Sequence, residues 1–140
     1  MGDYKHIEAL IARYIAARYH CVVEVGVGAN TAVARHLAEA GLEVRCTDIR
    51  EIPPGEGLVC VSDDIFHPSI GIYRGADLLY AIRPGVEMVP PLIALARRCD
   101  ADLLVYHLGN EIYGRGGELI DCGVVLHRYF RSQNPSKRVA

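Results

Sequence analysis

Short apolar runs alternate with segments of helical periodicity along most of this chain. The apolar runs are rich in β-branched residues, and the run at 21–23 has no polar alternation, which is typical of a strand buried on both faces. The pattern predicts strands at 20–25, 43–47, 58–61, 76–82, 101–106, 118–122 and 124–130. It predicts helices at 3–19, with Asp3 as the N-cap, at 31–40 and at 86–99, and a weak turn at 68–73.

Strands and helices alternate through residue 106, which implies right-handed βαβ units and a mostly parallel sheet. The last two predicted strands follow one another directly around Gly123, so they are expected to form an antiparallel hairpin. The predicted fold is therefore a Rossmann-like three-layer α/β/α sandwich in a single domain, 1–140. The polar segment 131–140 is expected to be a frayed, flexible tail.

Composition narrows the class of protein further. The chain has 140 residues, 51% of them hydrophobic, so it can bury a core without disulfides or a metal ion. The net charge of -2 argues against nucleic-acid binding over the whole surface, and no apolar run reaches the roughly 18–20 residues of a membrane span. The five cysteines form no CxxC pair, so we expect no metal site. We expect the cysteines to be small buried hydrophobic side chains, in a protein of the reducing cytoplasm.

A glycine-rich turn follows the first predicted strand and opens the next helix. Residues 24–30 read EVGVGAN, and glycines at such a turn let a ligand approach the backbone while a helix N-terminus faces it. The dinucleotide fingerprint G-x-G-x-x-G would place a third glycine at Thr31, so the nicotinamide version is incomplete. Asp48 ends the next predicted strand, 20 residues after Gly28, where an acid reaches the ribose hydroxyls of a nucleoside.

This combination resembles the class I S-adenosylmethionine-dependent methyltransferases, whose first motif is an acidic residue followed by G-x-G-x-G. The resemblance covers residues 20–130 and implies S-adenosylmethionine as the cofactor, with Asp48 at the ribose and the segment Asp63-Asp64-Ile65-Phe66 near the adenine amino group. The implied cofactor-binding residues are Glu24, Gly26, Gly28, Asn30, Asp48, Asp63 and Asp64. More narrowly, the chain resembles a family of short, uncharacterised archaeal Rossmann-like proteins.

Two positions depart from the methyltransferase pattern. Asn30 stands where the first motif has its third glycine, and asparagine tolerates left-handed backbone better than most residues. Arg83 and Pro84 follow the fourth predicted strand, where amino-methylating relatives often carry Asn/Asp-Pro-Pro-Tyr/Phe. The resemblance therefore predicts cofactor binding, makes methyl transfer a hypothesis, and leaves the acceptor and the catalytic residues open.

Ligands of open α/β sheets bind beyond the carboxyl ends of the strands, so the other strand ends are candidates for the acceptor side. His107 or His67 could act as a base. Tyr80 or Tyr106 could stack on an adenine or acceptor ring. Arg83 could hold a phosphate or carboxylate. Each of these residues also has a plain structural interpretation, as a core or surface side chain.

Three alternatives to an S-adenosylmethionine domain stay open. The first is binding of NAD(P) or another nucleotide, against which Thr31 counts. The second is a degenerate, non-catalytic Rossmann module that acts through protein partners or as a homodimer, which the short chain favours. The third is nucleic acid, because basic and aromatic residues mix near the C-terminus: Arg128, Tyr129, Phe130, Arg131, Lys137 and Arg138.

Overall fold

The computed structural model describes residues 3–51, 58–134 and 137, with side chains from residue 6 onward. The helices are α1 (Asp3–Ala16), α2 (Ala32–Glu39) and α3 (Val89–Cys99), with 3-10 turns at Ile70–Ile72 and Val86–Met88. The strands are β1 (Cys21–Val25), β2 (Glu43–Asp48), β3 (Val59–Ser62), β4 (Leu78–Ile82), β5 (Asp102–Tyr106), β6 (Glu118–Asp121) and β7 (Val125–Phe130). Residues 52–57 and the predicted capping side chain of Asp3 lie outside the described part.

The seven strands form one sheet in the order β3-β2-β1-β4-β5-β7-β6. The first five are parallel, whereas β7 runs antiparallel to both β5 and β6. The predicted Rossmann-like sheet with a closing antiparallel hairpin is therefore confirmed. In the sheet, β2 and β3 lie on one side of β1, and β4 lies on the other side. A topological switch point therefore lies between β1 and β4. Ligands of such sheets bind beyond the carboxyl ends at that point.

Alternate residues of each strand face two separate cores. Val22 of β1 packs on the side of α1 and α2, with Leu37 of α2 among the buried residues there. Val23 packs on the other side, against α3. Because both faces of the inner strands are covered, β1 and β4 are buried almost throughout, as their apolar runs predict. No helix within the described residues is long and apolar enough to cross a lipid bilayer.

Two predicted helix boundaries move for identifiable reasons. The helix predicted to reach Tyr19 ends at Ala16. Tyr19 instead turns into the core, 4% exposed, where its hydroxyl donates to Asp102 Oδ2 at 2.6 Å. The helix predicted from residue 86 begins at Val89 after a 3-10 turn. Its first turn contains the consecutive prolines 90 and 91, which lack the N–H groups that an earlier start would require.

The start of the C-terminal tail packs against the sheet instead of fraying. Ser132 is fully buried, and its N–H donates to Asp102 Oδ1 at 2.7 Å. Lys137 Nζ donates to the Cys99 carbonyl at 3.0 Å, at the end of α3. Residues 135, 136 and 138–140 of the predicted tail lie outside the described part.

A buried carboxylate sets the start of the two central strands. Asp77 lies just before β4 and is 8% exposed. Its carboxylate accepts the N–H groups of His20 and Cys21 at 2.9 and 3.1 Å, at the start of β1. These bonds extend the β1–β4 pairing beyond its first ladder residues and so fix the register of the strands that flank the switch point.

Replacing this carboxylate should destabilise the whole fold. We expect Asp77→Ala to lower the free energy of unfolding by about 1–3 kcal/mol, because two partly buried backbone N–H groups lose their acceptor. Urea denaturation measures the change. Glu39→Ala, at an exposed carboxylate on α2, is the control and should stay within about 0.5 kcal/mol of wild type. A loss for Asp77→Ala no larger than that of the control contradicts the role of Asp77.

Candidate functional site

The turn after β1 is held by hydrogen bonds to β2. Gly26 and Gly28 have φ values of +72° and +59°, which disfavour residues with a Cβ. The N–H groups of Gly26 and Val27 both donate to the Thr47 carbonyl, at 2.8 and 3.0 Å. The N–H of Gly28 donates to Asp48 Oδ2 at 2.8 Å. Three successive amide donors of the turn are therefore used inside the protein.

A cavity of about 290 Å³ opens at the switch point, between this turn and the carboxyl ends of β2, β3 and β4. Four of the seven predicted cofactor residues line it: Gly26, Asp48, Asp63 and Asp64. They come from two loops and a strand end that are up to 38 positions apart in the sequence. The topology thus brings together three of the four acids that the methyltransferase resemblance nominated.

The other three predicted residues lie outside the lining of this cavity. Gly28 contacts the site only through its bond to Asp48. Asn30 Nδ2 donates to Glu8 Oε2 on α1, and Asn30 Oδ1 accepts the Ala32 N–H at 3.1 Å. Glu24 is 2% exposed, and its side chain points toward the core beneath α1 and α2. Its position in the strand explains this, since residues 22 and 24 face the same side of the sheet.

Glu24 is an acid held away from water. The Tyr80 hydroxyl donates to Glu24 Oε1 at 2.9 Å, and Tyr80 is itself 1% exposed. Burial raises the pKa of the Glu24 carboxyl to about 8; the Tyr80 bond opposes this rise and the nearby Glu8 carboxylate adds to it. Glu24 is therefore mostly protonated at neutral pH. Tyr80, which sequence reasoning offered as a stacking residue, is a partner of Glu24 in the core.

Asp48 is fixed in orientation at the end of β2. Besides the Gly28 bond, its Oδ1 accepts the N–H of Arg50 at 3.0 Å and lies 3.5 Å from Arg50 Nε. The residue is 8% exposed. A carboxylate offers about four acceptor positions, so the oxygens at the cavity wall keep capacity for a ligand hydroxyl.

Asp63 is fixed next to Asp48. Its N–H donates to the Asp48 carbonyl at 2.9 Å, which keeps the two acids adjacent. Its carboxylate accepts the Tyr73 hydroxyl at 2.6 Å and the Ser69 N–H at 3.1 Å. Burial and the bond to Asp63 both raise the pKa of Tyr73, so the hydroxyl stays protonated and remains a donor.

Apolar side chains complete the cavity. The resemblance had placed Phe66 in the segment near the adenine, whereas Ile49 was missed as a site residue. Ile49 and Phe66 are 67% and 53% exposed, so both offer apolar surface to a ligand. Asp64 Oδ1 accepts the Phe66 N–H at 2.9 Å and so closes the turn that presents this ring. Met88 lies over Gly26, where a Cβ would come within 3.2 Å of its Cε. For Ile49 the available signal was an apolar residue directly after the strand-end acid Asp48.

The cavity wall is acidic. Among the described residues that line it, four carry carboxylates (Asp48, Asp63, Asp64 and Glu87) and one, Arg83, carries a guanidinium. Arg83 has φ +52°, its N–H donates to the Tyr106 carbonyl at 2.6 Å, and its guanidinium lies 5.2 Å from the Tyr106 ring. The backbone after β4 is therefore set in an uncommon conformation that aims it at the cavity.

The histidine proposed as a base lies away from the cavity lining. His107 is 5% exposed, and its Nε2 is paired with the Tyr129 hydroxyl at 2.6 Å. Burial and the neighbouring His127 lower the pKa of His107. His67, the other candidate, is largely exposed beside the cavity, 3.6 Å from Asp64 Oδ2. His107 is thus part of a packed cluster under the loop at 109–117, and the described geometry gives no catalytic residue by itself.

Two of the basic residues proposed for nucleic acid, Arg128 and Lys137, are engaged inside the protein. Arg128 pairs with Glu118 at 2.8 Å and lies 3.8 Å from Asp102, with only 13% of its side chain exposed. The Tyr129 hydroxyl is used by His107 and by the Tyr113 N–H. Arg138 lies outside the described part. Arg128, Tyr129 and Lys137 therefore have internal partners, whereas Arg131 is exposed.

The strand order, the glycine turn and the acids at the strand ends define a class I methyltransferase-like Rossmann fold. A putative ribosomal RNA methyltransferase of Plasmodium falciparum has a similar structure, with a TM-score of 0.56, 10% identity and 78% of each chain covered. The magnesium protoporphyrin IX methyltransferase of Synechocystis, solved with bound SAM, has a TM-score of 0.50 and 17% identity over 76% of this chain. The match spans 61% of the Synechocystis chain. At these identities the similarity shows the fold alone.

The chain belongs to UPF0146, an uncharacterised protein family, whose profile matches residues 7–117. A UPF0146 protein of Pyrococcus horikoshii is 36% identical over 128 residues, covering 88% of this chain and 96% of the relative. A UPF0146 protein of Archaeoglobus fulgidus is 44% identical over 105 residues, covering 74% of this chain and 78% of the relative. The predicted resemblance to a family of archaeal proteins with a methyltransferase-like fold is confirmed.

The environment of Glu24 predicts a pH-dependent stability. Its pKa rises from the ordinary 4.5 to about 8 on folding, so its contribution is fully present below the lower value and is lost as pH rises through the higher one. We expect wild type to lose stability relative to Glu24→Gln between about pH 5 and about pH 9 in urea denaturation. Glu39→Gln should show no such difference. A constant gap between wild type and Glu24→Gln contradicts the assignment.

Proposed function

We propose that this protein binds S-adenosylmethionine in the cavity at the switch point. The observation that carries the proposal is the acidic wall that surrounds apolar side chains at that point. At neutral pH, S-adenosylmethionine carries a sulfonium and an ammonium group against one carboxylate, so it is a net cation with hydroxyl donors on its ribose. An acidic wall favours such a ligand electrostatically.

The same charges disfavour the nucleotide alternative. NAD(P) carries a pyrophosphate, which Rossmann domains bind with free N–H groups of the glycine turn and the following helix. Here the N–H groups of Gly26, Val27 and Gly28 donate to Thr47 and Asp48 instead. A polyphosphate at this turn would also face the Asp48 carboxylate. Thr31 also stands where the dinucleotide fingerprint has its third glycine. Together these points favour a ligand with no phosphate.

Each part of the cofactor would have a partner in the cavity. Asp48 would accept hydrogen bonds from the ribose hydroxyls, and Asp63 or Asp64 would accept one from the adenine amino group. Ile49 and Phe66 supply apolar surface for the adenine faces. The turn at Gly26, with no Cβ, would allow the methionine part to approach the backbone.

The proposed reaction class is methyl transfer to an acceptor that approaches from the carboxyl ends of β4 and β5. The bound cofactor would supply an electrophilic methyl group. Arg83 lines the cavity on that side, so an anionic group on the acceptor would find a guanidinium there. The chain's own contribution would be to hold cofactor and acceptor in line.

Isothermal titration calorimetry tests binding. We expect micromolar affinity of wild type for S-adenosylmethionine and for its demethylated product, and no binding of NAD or NADP. Asp48→Ala should abolish the binding heat, because it removes the ribose acceptor and releases the Gly28 N–H. Thermal melting confirms that the variant is folded. An absence of heat with wild type at millimolar cofactor contradicts the proposal.

Phe66→Ala separates binding from stability. The ring is 53% exposed, so its loss should change the melting temperature little while weakening cofactor binding roughly tenfold through lost stacking. Leu119→Ala is the matched control, since Leu119 is 64% exposed on β6 and lies outside the cavity lining. Equal affinities of Phe66→Ala and Leu119→Ala would place the adenine elsewhere.

A further inference from the structure

We propose that Glu8 on α1 is a positioning residue that sets the shape of the cofactor turn through Asn30. The proposal rests on the function proposed above and adds to it a residue outside the cavity. Glu8 is 5% exposed, an unusual burial for a carboxylate with no cationic partner among the hydrogen bonds and ion pairs described for it. Its bonding partner is the side-chain amide of Asn30, at the end of the turn.

Asn30 uses both ends of its amide. Nδ2 donates to Glu8 Oε2, and Oδ1 accepts the N–H of Ala32 at 3.1 Å, the first residue of α2. Thr31, the N-cap residue of that helix, makes no side-chain capping bond. The start of α2 is therefore organised by Asn30, and Asn30 in turn is held by Glu8.

This arrangement explains the residue that replaces the third glycine of the motif. A glycine has no side chain with which to reach α1 or to accept from the helix. An asparagine can do both. Besides the backbone bonds to Thr47, the turn in this protein is consequently held by two side chains: Asp48 at Gly28 and Glu8 at Asn30.

The charges beneath the turn suit this role. The groups that face this region are the Glu24 carboxyl on β1, the Tyr80 hydroxyl on β4 and the Cys46 thiol on β2. Burial raises the pKa of Glu24, and Glu24 accepts from the Tyr80 hydroxyl. The Asn30 amide is thus the donor that holds the Glu8 side chain.

Affinity for S-adenosylmethionine should therefore depend on Glu8 although Glu8 is absent from the cavity lining. We expect Glu8→Ala to weaken binding roughly tenfold by calorimetry, because the turn must then be ordered on binding. Glu8→Gln keeps an acceptor oxygen and should stay near wild-type affinity. Glu39→Ala, at an exposed acid, is the control.

Exchanging the hydrogen-bond donor and acceptor between residues 8 and 30 distinguishes a positioning role from a general effect on stability. Asn30→Asp keeps the acceptor for Ala32 but sets a carboxylate against Glu8, so it should weaken binding more than Glu8→Ala does. Adding Glu8→Gln restores a donor and an acceptor with their direction reversed, and affinity should return to within about threefold of wild type. A double variant no better than Asn30→Asp, or Glu8→Ala with wild-type affinity, overturns the proposal.

Amide hydrogen exchange provides a readout that needs no ligand. Exchange at residues 28–32 should rise in Glu8→Ala and in Asn30→Asp, and should fall again in the double variant. Unchanged exchange in the single variants also overturns the proposal. If wild type fails to bind S-adenosylmethionine while the exchange pattern follows this expectation, the proposed cofactor is wrong and the role of Glu8 stands.

Discussion

The hydrogen bond from the Gly28 N–H to the Asp48 carboxylate, at 2.8 Å, joins the two parts of the sheet that form the site. β1 and β2 are parallel neighbours paired up to Val25 and Thr47, so their carboxyl ends lie side by side. The turn after β1 can therefore fold onto the end of β2 and use the Thr47 carbonyl as well. One set of hydrogen bonds thereby closes the turn and orients Asp48 at the wall of the cavity.

Three acids in this region differ in chemistry because of their surroundings. Glu24 is enclosed by apolar residues with one hydroxyl donor, and its proton is retained near neutral pH. Asp48 and Asp63 each accept at least one backbone N–H and line the cavity. Motif spacing alone assigns all three to the cofactor. The surroundings of each acid distinguish the buried Glu24 from the two acids at the cavity wall.

Much of the fold could be predicted from the chain because buried parallel strands have a strong local signature. The ends of two strands, at Asp48 and just before Asp63, could be predicted from that signature. Both acids line the cavity. The place of β7 between β5 and β6 did not follow, since strand order depends on pairing between distant residues. Tyr19 and Ser132 were missed for the same reason: both are held by Asp102, more than 29 residues away from either.

The direction of Glu24 shows a second limit of local pattern. Alternation along β1 puts Glu24 on the side of Val22, but which helices cover that side depends on the path of the whole chain. Glu24 fits the motif but lies outside the cavity, whereas Ile49 and Phe66 line the cavity. In the sequence alone, an apolar residue after a strand looks like an ordinary loop residue.

Helix α1 precedes the first βαβ unit, yet its contact with the turn makes it part of the site. A Rossmann unit with three glycines in its first motif can shape its turn from backbone alone. In this chain the third position carries Asn30, whose amide is held by Glu8. The conformation of the turn then depends on a side chain from outside the unit. This dependence accounts for the buried, polar Glu8 on α1, a helix that otherwise only covers the sheet.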